Sequence, residues 1–153
     1  MAAVAAAGSL ANAGNVEGWY ADAEKAPWNP PGGVFGPVWS VLYAGIAAAC
    51  FLVWRRGFRG SGQPNAARTW LGVWIVQIAL NAMWTPAFFA GFPVLGEAAW
   101  WLALAIILLL LVAVIWLAVA AWRWSRIATV VMIAYALWLA FATTLNIAII
   151  ALN

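Results

Sequence analysis

The sequence predicts an all-α integral membrane protein, and three observations carry that reading. Of 153 residues, 68% are hydrophobic, against seven basic and four acidic side chains. A water-soluble domain of this size cannot hide so much apolar surface. Residues 26–54, 69–96, 98–122 and 127–153 hold no charge at all, and each exceeds the ~20 apolar residues of a spanning helix. The short alternating segments that would mark spanning strands are missing.

In chain order, residues 1–14, MAAVAAAGSLANAG, are too short to cross a bilayer and lack the basic start of a signal peptide. They read as a partial first helix, or as a short helix packed on the bundle. Residues 15–36 form a loop, read as an ordered cap because it is long and aromatic. Its core is Trp28-Asn29-Pro30-Pro31-Gly32-Gly33, where two prolines remove backbone donors and glycines permit a bend. We expect Trp28, Asn29, Pro30 and Pro31 to lid a pocket for a flat apolar ligand. A helix follows over 37–54, with Pro37 suited to its first turn. The other spans are expected over 69–90, 97–121 and 127–150. The span over 97–121, nearly pure Leu, Ile, Val and Ala, is expected to be the most lipid-facing.

The charges orient the bundle. Arg55, Arg56, Arg59, Arg68, Arg123 and Arg126 fall in two connections on one side, with only Lys25 on the other. By the positive-inside rule the arginine loops are cytoplasmic, and the lid loop and C-terminus lie outside. The expected setting is a bacterial plasma membrane. So few cations, all at membrane boundaries, do not suggest a nucleic-acid partner; the expected partners are membrane lipid and a flat lipophilic ligand. There is no histidine, and Cys50 is the one cysteine. That argues against a zinc or thiolate site and leaves haem without a histidine ligand. No covalently bound cofactor is expected.

Thirteen tryptophans exceed what an interfacial belt explains. Trp54, Trp70, Trp100, Trp101, Trp122 and Trp124 fall at span ends and suit that belt. Trp39, Trp74, Trp84, Trp116 and Trp138 lie deeper. Trp39 and Tyr43 are four apart on one helix face. Gln77, Asn81 and Trp84 share a face of their span, and Tyr135, Trp138, Ala142 and Leu145 form a stripe on theirs, with Asn146 beside it. At ~1.5 Å per residue, Trp39, Tyr43, Asn81, Trp84, Ala142 and Asn146 reach similar depths on the lid side, with Trp138 near mid-depth. The plain alternative is that Asn81, Asn146, Thr143 and Thr144 only bond neighbouring helices, and that the indoles only pack. Gly45 with Ala49, and Ala136 with Ala140, are read as marks of close helix approach.

Trp19-Tyr20, Trp28-Asn29-Pro30-Pro31, Gly36-Pro37-Val38-Trp39, the run Leu80 to Pro86 with Phe88-Phe89, and the run Tyr135 to Asn146 resemble the tryptophan-rich sensory protein family. This is the TspO/translocator protein group, also called peripheral-type benzodiazepine receptors. The resemblance covers about residues 10–150. It implies a five-transmembrane-helix bundle, here with a truncated first helix, a homodimer, and a cavity under the first loop. It further implies binding of porphyrins such as protoporphyrin IX and of benzodiazepine-type ligands. Matched by motif, the pocket falls on Tyr20, Trp39, Tyr43, Asn81, Trp84, Trp138, Ala142 and Leu145. Trp39 and Trp138 match the pair associated with light-dependent porphyrin breakdown. Ile147 follows Asn146 where animal members carry a tyrosine of a sterol motif, so sterol binding by that route is not expected. The implied function is tetrapyrrole binding with a sensory or regulatory role; the alternatives are a porphyrin-degrading enzyme and a porphyrin or lipophile transporter.

Overall fold

A computed structural model describes residues 18–153. The expected partial helix over 1–14 lies outside the described residues. Among the described residues there are six helices. A short α1 (Trp19–Asp22) leads through a single 3-10 turn (Gly32–Val34) into α2 (Phe35–Gly57). Then come α3 (Arg68–Phe89), a short α4 (Phe92–Leu95), α5 (Glu97–Ala121) and α6 (Arg126–Leu152). Four of these helices are long and apolar enough to cross a membrane. The chain is an integral membrane protein in which four spans pack side by side.

The helix ends follow local chemistry. Pro37 sits at the third position of α2, where a missing N–H is still harmless because the first turn has no acceptor for it. Ser125 caps α6 by accepting from the Ala128 N–H at 3.2 Å, as an N-cap serine does. Pro86 lies inside α3, and the helix closes one turn later, with Ala90 and Gly91 both donating to the Pro86 carbonyl.

α5 packs extensively on both α3 and α6, while α2 lies mainly on α6 and meets α3 more lightly. The order across the bundle is therefore α3, α5, α6, α2. This corrects the expectation that the 97–121 span is the most lipid-facing. Its hydrophobic window is 39% buried, against 17% for those of α2 and α3. Lipid tails and helix neighbours are equally apolar, so a uniform Leu/Ile/Val composition does not say which of them a helix meets.

Two belt assignments also change. Trp70 is wholly buried and its indole N–H donates to the Leu117 carbonyl at 2.9 Å, locking α3 to α5. Trp100 is buried against Phe92, their rings stacked 4.6 Å apart. Trp54, Trp101 and Trp122 are exposed, as a belt requires. The two small-residue pairs divide as well. Ala49 is buried, and a Cβ on Gly45 would stand 3.0 Å from Val131 Cγ1, so α2 and α6 approach closely there. Ala140 is exposed and marks no such contact within the chain.

The α2–α3 connection is tied at Gly57. The Ala66 N–H donates to its carbonyl, and the Asn65 side chain bonds both the Trp54 carbonyl and the Ala67 N–H. A Cβ at Gly57 would collide with Asn65 Oδ1 and fall 2.8 Å from the Ala67 nitrogen. We expect Gly57→Ala to destabilise the protein by about 1–3 kcal/mol, the usual scale of overpacking. Thermal unfolding in detergent checks this, and an unchanged midpoint would contradict it.

Candidate functional site

Three spans contribute to one aromatic and amide cluster. Trp39 and Tyr43, one turn apart on α2, stack with ring centres 5.3 Å apart and planes at 29°. The Tyr43 hydroxyl donates to Asn81 Oδ1 on α3 at 2.8 Å. Asn81 Nδ2 then donates to the Tyr135 hydroxyl on α6, also at 2.8 Å. Trp39 closes the circuit, edge-on to Tyr135 at 6.2 Å and to Trp138 at 6.5 Å. Phe35 and Phe141 flank Trp138 at 6.0 and 5.6 Å. Tyr135 is 0% exposed and Asn81 5%. Trp39, Tyr43, Asn81 and Trp138 are thus brought together. Spacing alone puts Tyr135 in the α6 stripe and not in the site; its partner emerges only when α3 and α6 stand side by side.

Trp84 packs against this cluster and also against a second one nearer the loop. There it stacks on Phe88 at 5.4 Å and 16°. Trp19 descends from α1 into the same cluster, its indole N–H donating to the Phe89 carbonyl at 3.0 Å and its ring 4.4 Å from Phe92. Tyr20 belongs here too, edge-on to Phe89 at 5.2 Å with the Lys25 ammonium 4.9 Å from its ring centre. Burial holds the Tyr20 phenol above its ordinary pKa. Tyr20 and Trp39 therefore sit in different clusters, joined through Trp84.

Further along α6, Ala142 is buried in the main core. Leu145 packs with Ala148, Phe35, Phe141 and Ala26. Ala26 is the buried contact of the cap. Trp28 is 56% exposed and lies on the rim, its indole N–H donating to Thr144 Oγ1 at 3.2 Å. Asn29 Nδ2 donates to the Pro30 carbonyl, and Pro31 precedes the 3-10 turn. Pro30, Val38, Leu42, Trp138 and Phe141 line an apolar groove of about 540 Å³ between α2 and α6, open on the outer face of the bundle. The cap is clasped to the far end of the chain: the Glu24 N–H donates to Asn153 Oδ1, and Asn153 Nδ2 donates to the Glu24 carbonyl.

Several buried polar atoms have no partner among the described residues. They are the Trp84, Trp100, Trp124 and Trp138 indole nitrogens and both ends of the Asn146 and Gln77 amides. Asn146 is 1% exposed and Gln77 is fully buried. Unpaired polar groups in hydrocarbon are costly, so each invites a water or a ligand. Gln77 lies on the polar face of α3 outside the expected site, and its one-turn spacing from Asn81 is the sequence signal for it.

A polytopic helical membrane protein with an indole- and amide-lined interior is the class that this fold and site define. The chain belongs to the TspO/MBR family, whose profile matches residues 1–152. It is 38% identical to the human translocator protein over 128 residues, covering 84% of this chain and 70% of that protein. It is 34% identical to the tryptophan-rich protein TspO of Archaeoglobus fulgidus over 152 residues, 99% and 90% of the two chains. The tryptophan-rich sensory protein of Cereibacter sphaeroides is 34% identical over 158 aligned residues, 98% of this chain and 88% of that protein.

Because Asn81 uses both ends of its amide, its loss strands the buried Tyr135 hydroxyl and the half-buried Tyr43 hydroxyl. Asn81→Leu is expected to destabilise by about 1–3 kcal/mol. Tyr43→Phe and Tyr135→Phe should each cost about 0.6 kcal/mol, the average for an interhelical bond in a membrane. A double-mutant cycle on unfolding free energies checks this; strict additivity of Asn81→Leu with either tyrosine change would dissolve the network.

Proposed function

We propose that this protein binds a tetrapyrrole such as protoporphyrin IX in the membrane and serves a sensory or regulatory role through that binding. The observation that carries the reading is the meeting of Trp39, Tyr43, Asn81 and Trp138 from three spans, beside buried indole and amide groups that lack partners. A flat conjugated ligand suits aromatic walls, and a few polar groups suffice to orient it. In this reading Trp84, Ala142, Leu145 and Asn146 extend the site toward the cap, and Tyr20 borders it from the neighbouring cluster that Trp84 joins. The names carried by relatives, a tryptophan-rich sensory protein and a translocator protein, agree with a sensory, ligand-handling role. With no histidine in the chain, metal-free porphyrin is favoured over ligated haem. The reading includes the five-helix bundle and homodimer that the resemblance implies, with the arginine loops cytoplasmic in a bacterial plasma membrane.

Titrating protoporphyrin IX into the detergent-solubilised protein should quench tryptophan fluorescence saturably. A Trp39→Phe/Trp138→Phe variant should bind more weakly by about 1–3 kcal/mol, from two aromatic contacts of about 0.5–1.5 kcal/mol each. That is roughly a five- to 150-fold loss of affinity. A variant that quenches and saturates like the parent would remove these two residues from the site.

A second reading rests on the ring contacts among Trp39, Tyr135 and Trp138. Adjacent oxidisable rings suit light-driven breakdown of bound porphyrin by dioxygen, with Trp39 and Trp138 as the catalytic pair. Illuminating the complex and following porphyrin absorbance tests it. Faster decay than for free porphyrin in the same detergent, lost in the double variant, supports catalysis; equal decay leaves binding alone.

A further inference from the structure

The end of the bundle opposite the cap carries an unbalanced charge. Six arginines lie there, in and beside the two connections, and between Arg55 and Arg126 the sole carboxylate is Glu97, at the far end of α5. Arg55 and Arg56 suit the last turn of α2, where a helix end is negative. Arg68 and Arg126 do not fit in that way. They open the first turns of α3 and α6, where the helix dipole is positive and favours an anion. Neither first turn contains an acid.

The α5–α6 turn gathers these donors at one place. The Arg56 guanidinium donates through Nη1 to the Trp124 carbonyl, tying the end of α2 to this turn. Arg123 lies over the Trp124 ring at 5.2 Å, and Arg126 over the Trp122 ring at 5.2 Å. All three arginines are exposed, and each guanidinium has several N–H donors left to offer. The Trp124 indole nitrogen is buried and has no partner among the described residues. Around one turn, then, stand three guanidiniums, a helix N-terminus and an idle indole N–H, all of them donors. Trp54, Phe58 and Trp122 are exposed at the same end, which sets this turn at headgroup depth.

We propose that this face holds the phosphate of an anionic phospholipid headgroup, with Arg56, Arg123 and Arg126 as its cationic contacts. Guanidinium forks match phosphate oxygens in pairs, and juxtamembrane arginines are drawn to anionic lipid surfaces. A lipid is favoured over a free anion because the acyl chains of a headgroup held here would lie along the exposed apolar faces of α2 and α6. The site is at the opposite end from the aromatic cluster, so it stands or falls independently of tetrapyrrole binding.

The test uses the full chain without porphyrin, in nanodiscs of phosphatidylcholine alone or with a minor fraction of phosphatidylglycerol. Phosphatidylglycerol should raise the unfolding temperature by several degrees, and added salt should erase most of the gain. Native mass spectrometry of protein released from the mixed discs should show phosphatidylglycerol retained over phosphatidylcholine. Arg56→Gln/Arg123→Gln/Arg126→Gln should at least halve both effects. Should that variant not fold, Arg123→Gln alone should reduce the retention ratio measurably. Equal retention of the two lipids, a preference unchanged in the variants, or equal stabilisation of the protein in phosphatidylcholine discs by inorganic phosphate would each overturn the proposal.

Discussion

One carboxamide, that of Asn81, connects three spans. Its oxygen accepts from the Tyr43 hydroxyl on α2 and its nitrogen donates to the Tyr135 hydroxyl on α6. In hydrocarbon such a group has no water to fall back on, so its bonds fix how the three helices are rotated about their axes. That rotation aims Trp39 and Trp138 at each other. It matters most between α2 and α3, which otherwise touch little. Another tie between them is the Trp74 indole N–H, which donates to the Ile46 carbonyl at 3.3 Å.

Around this polar link the bundle has a heavily packed side and a more lightly packed one. α5 is the spine, buried along Ala103, Ile107, Leu110, Val114 and Leu117 and locked to α3 by Trp70. The aromatic cluster lies on the opposite, looser side, where α2 leans on α6. The flat ligand proposed above would lie at this seam, beside the close-packed layer. The arginine end is held differently again, by capping, carbonyl bonds and cation–π contacts at one turn.

Much of this was legible in the sequence, and the exceptions share a cause. Charge-free runs gave the spans to within a few residues, because lipid forbids charge wherever a helix crosses it. The Trp39–Tyr43 stack followed from a four-residue spacing that a helix cannot help but honour. Neighbour identity was not legible. α5 looked lipid-facing because leucine meets lipid and protein alike. Trp70 and Trp100 looked interfacial because position along a span says nothing about which way an indole points. Tyr135 and Gln77 were seen as polar or aromatic marks on a helix face, but their roles depend on the helix opposite. The cap misled in a further way: its conspicuous aromatic, Trp28, stays on the rim, while the unremarkable Ala26 is buried.

The pairing of Glu24 with Asn153 joins residues 129 positions apart through two reciprocal bonds. It turns a linear chain into a closed loop at the mouth of the bundle. Lifting the cap and fraying the last turn of α6 therefore become a single event. A change at Asn153 is therefore felt at the cap as well as in its own helix.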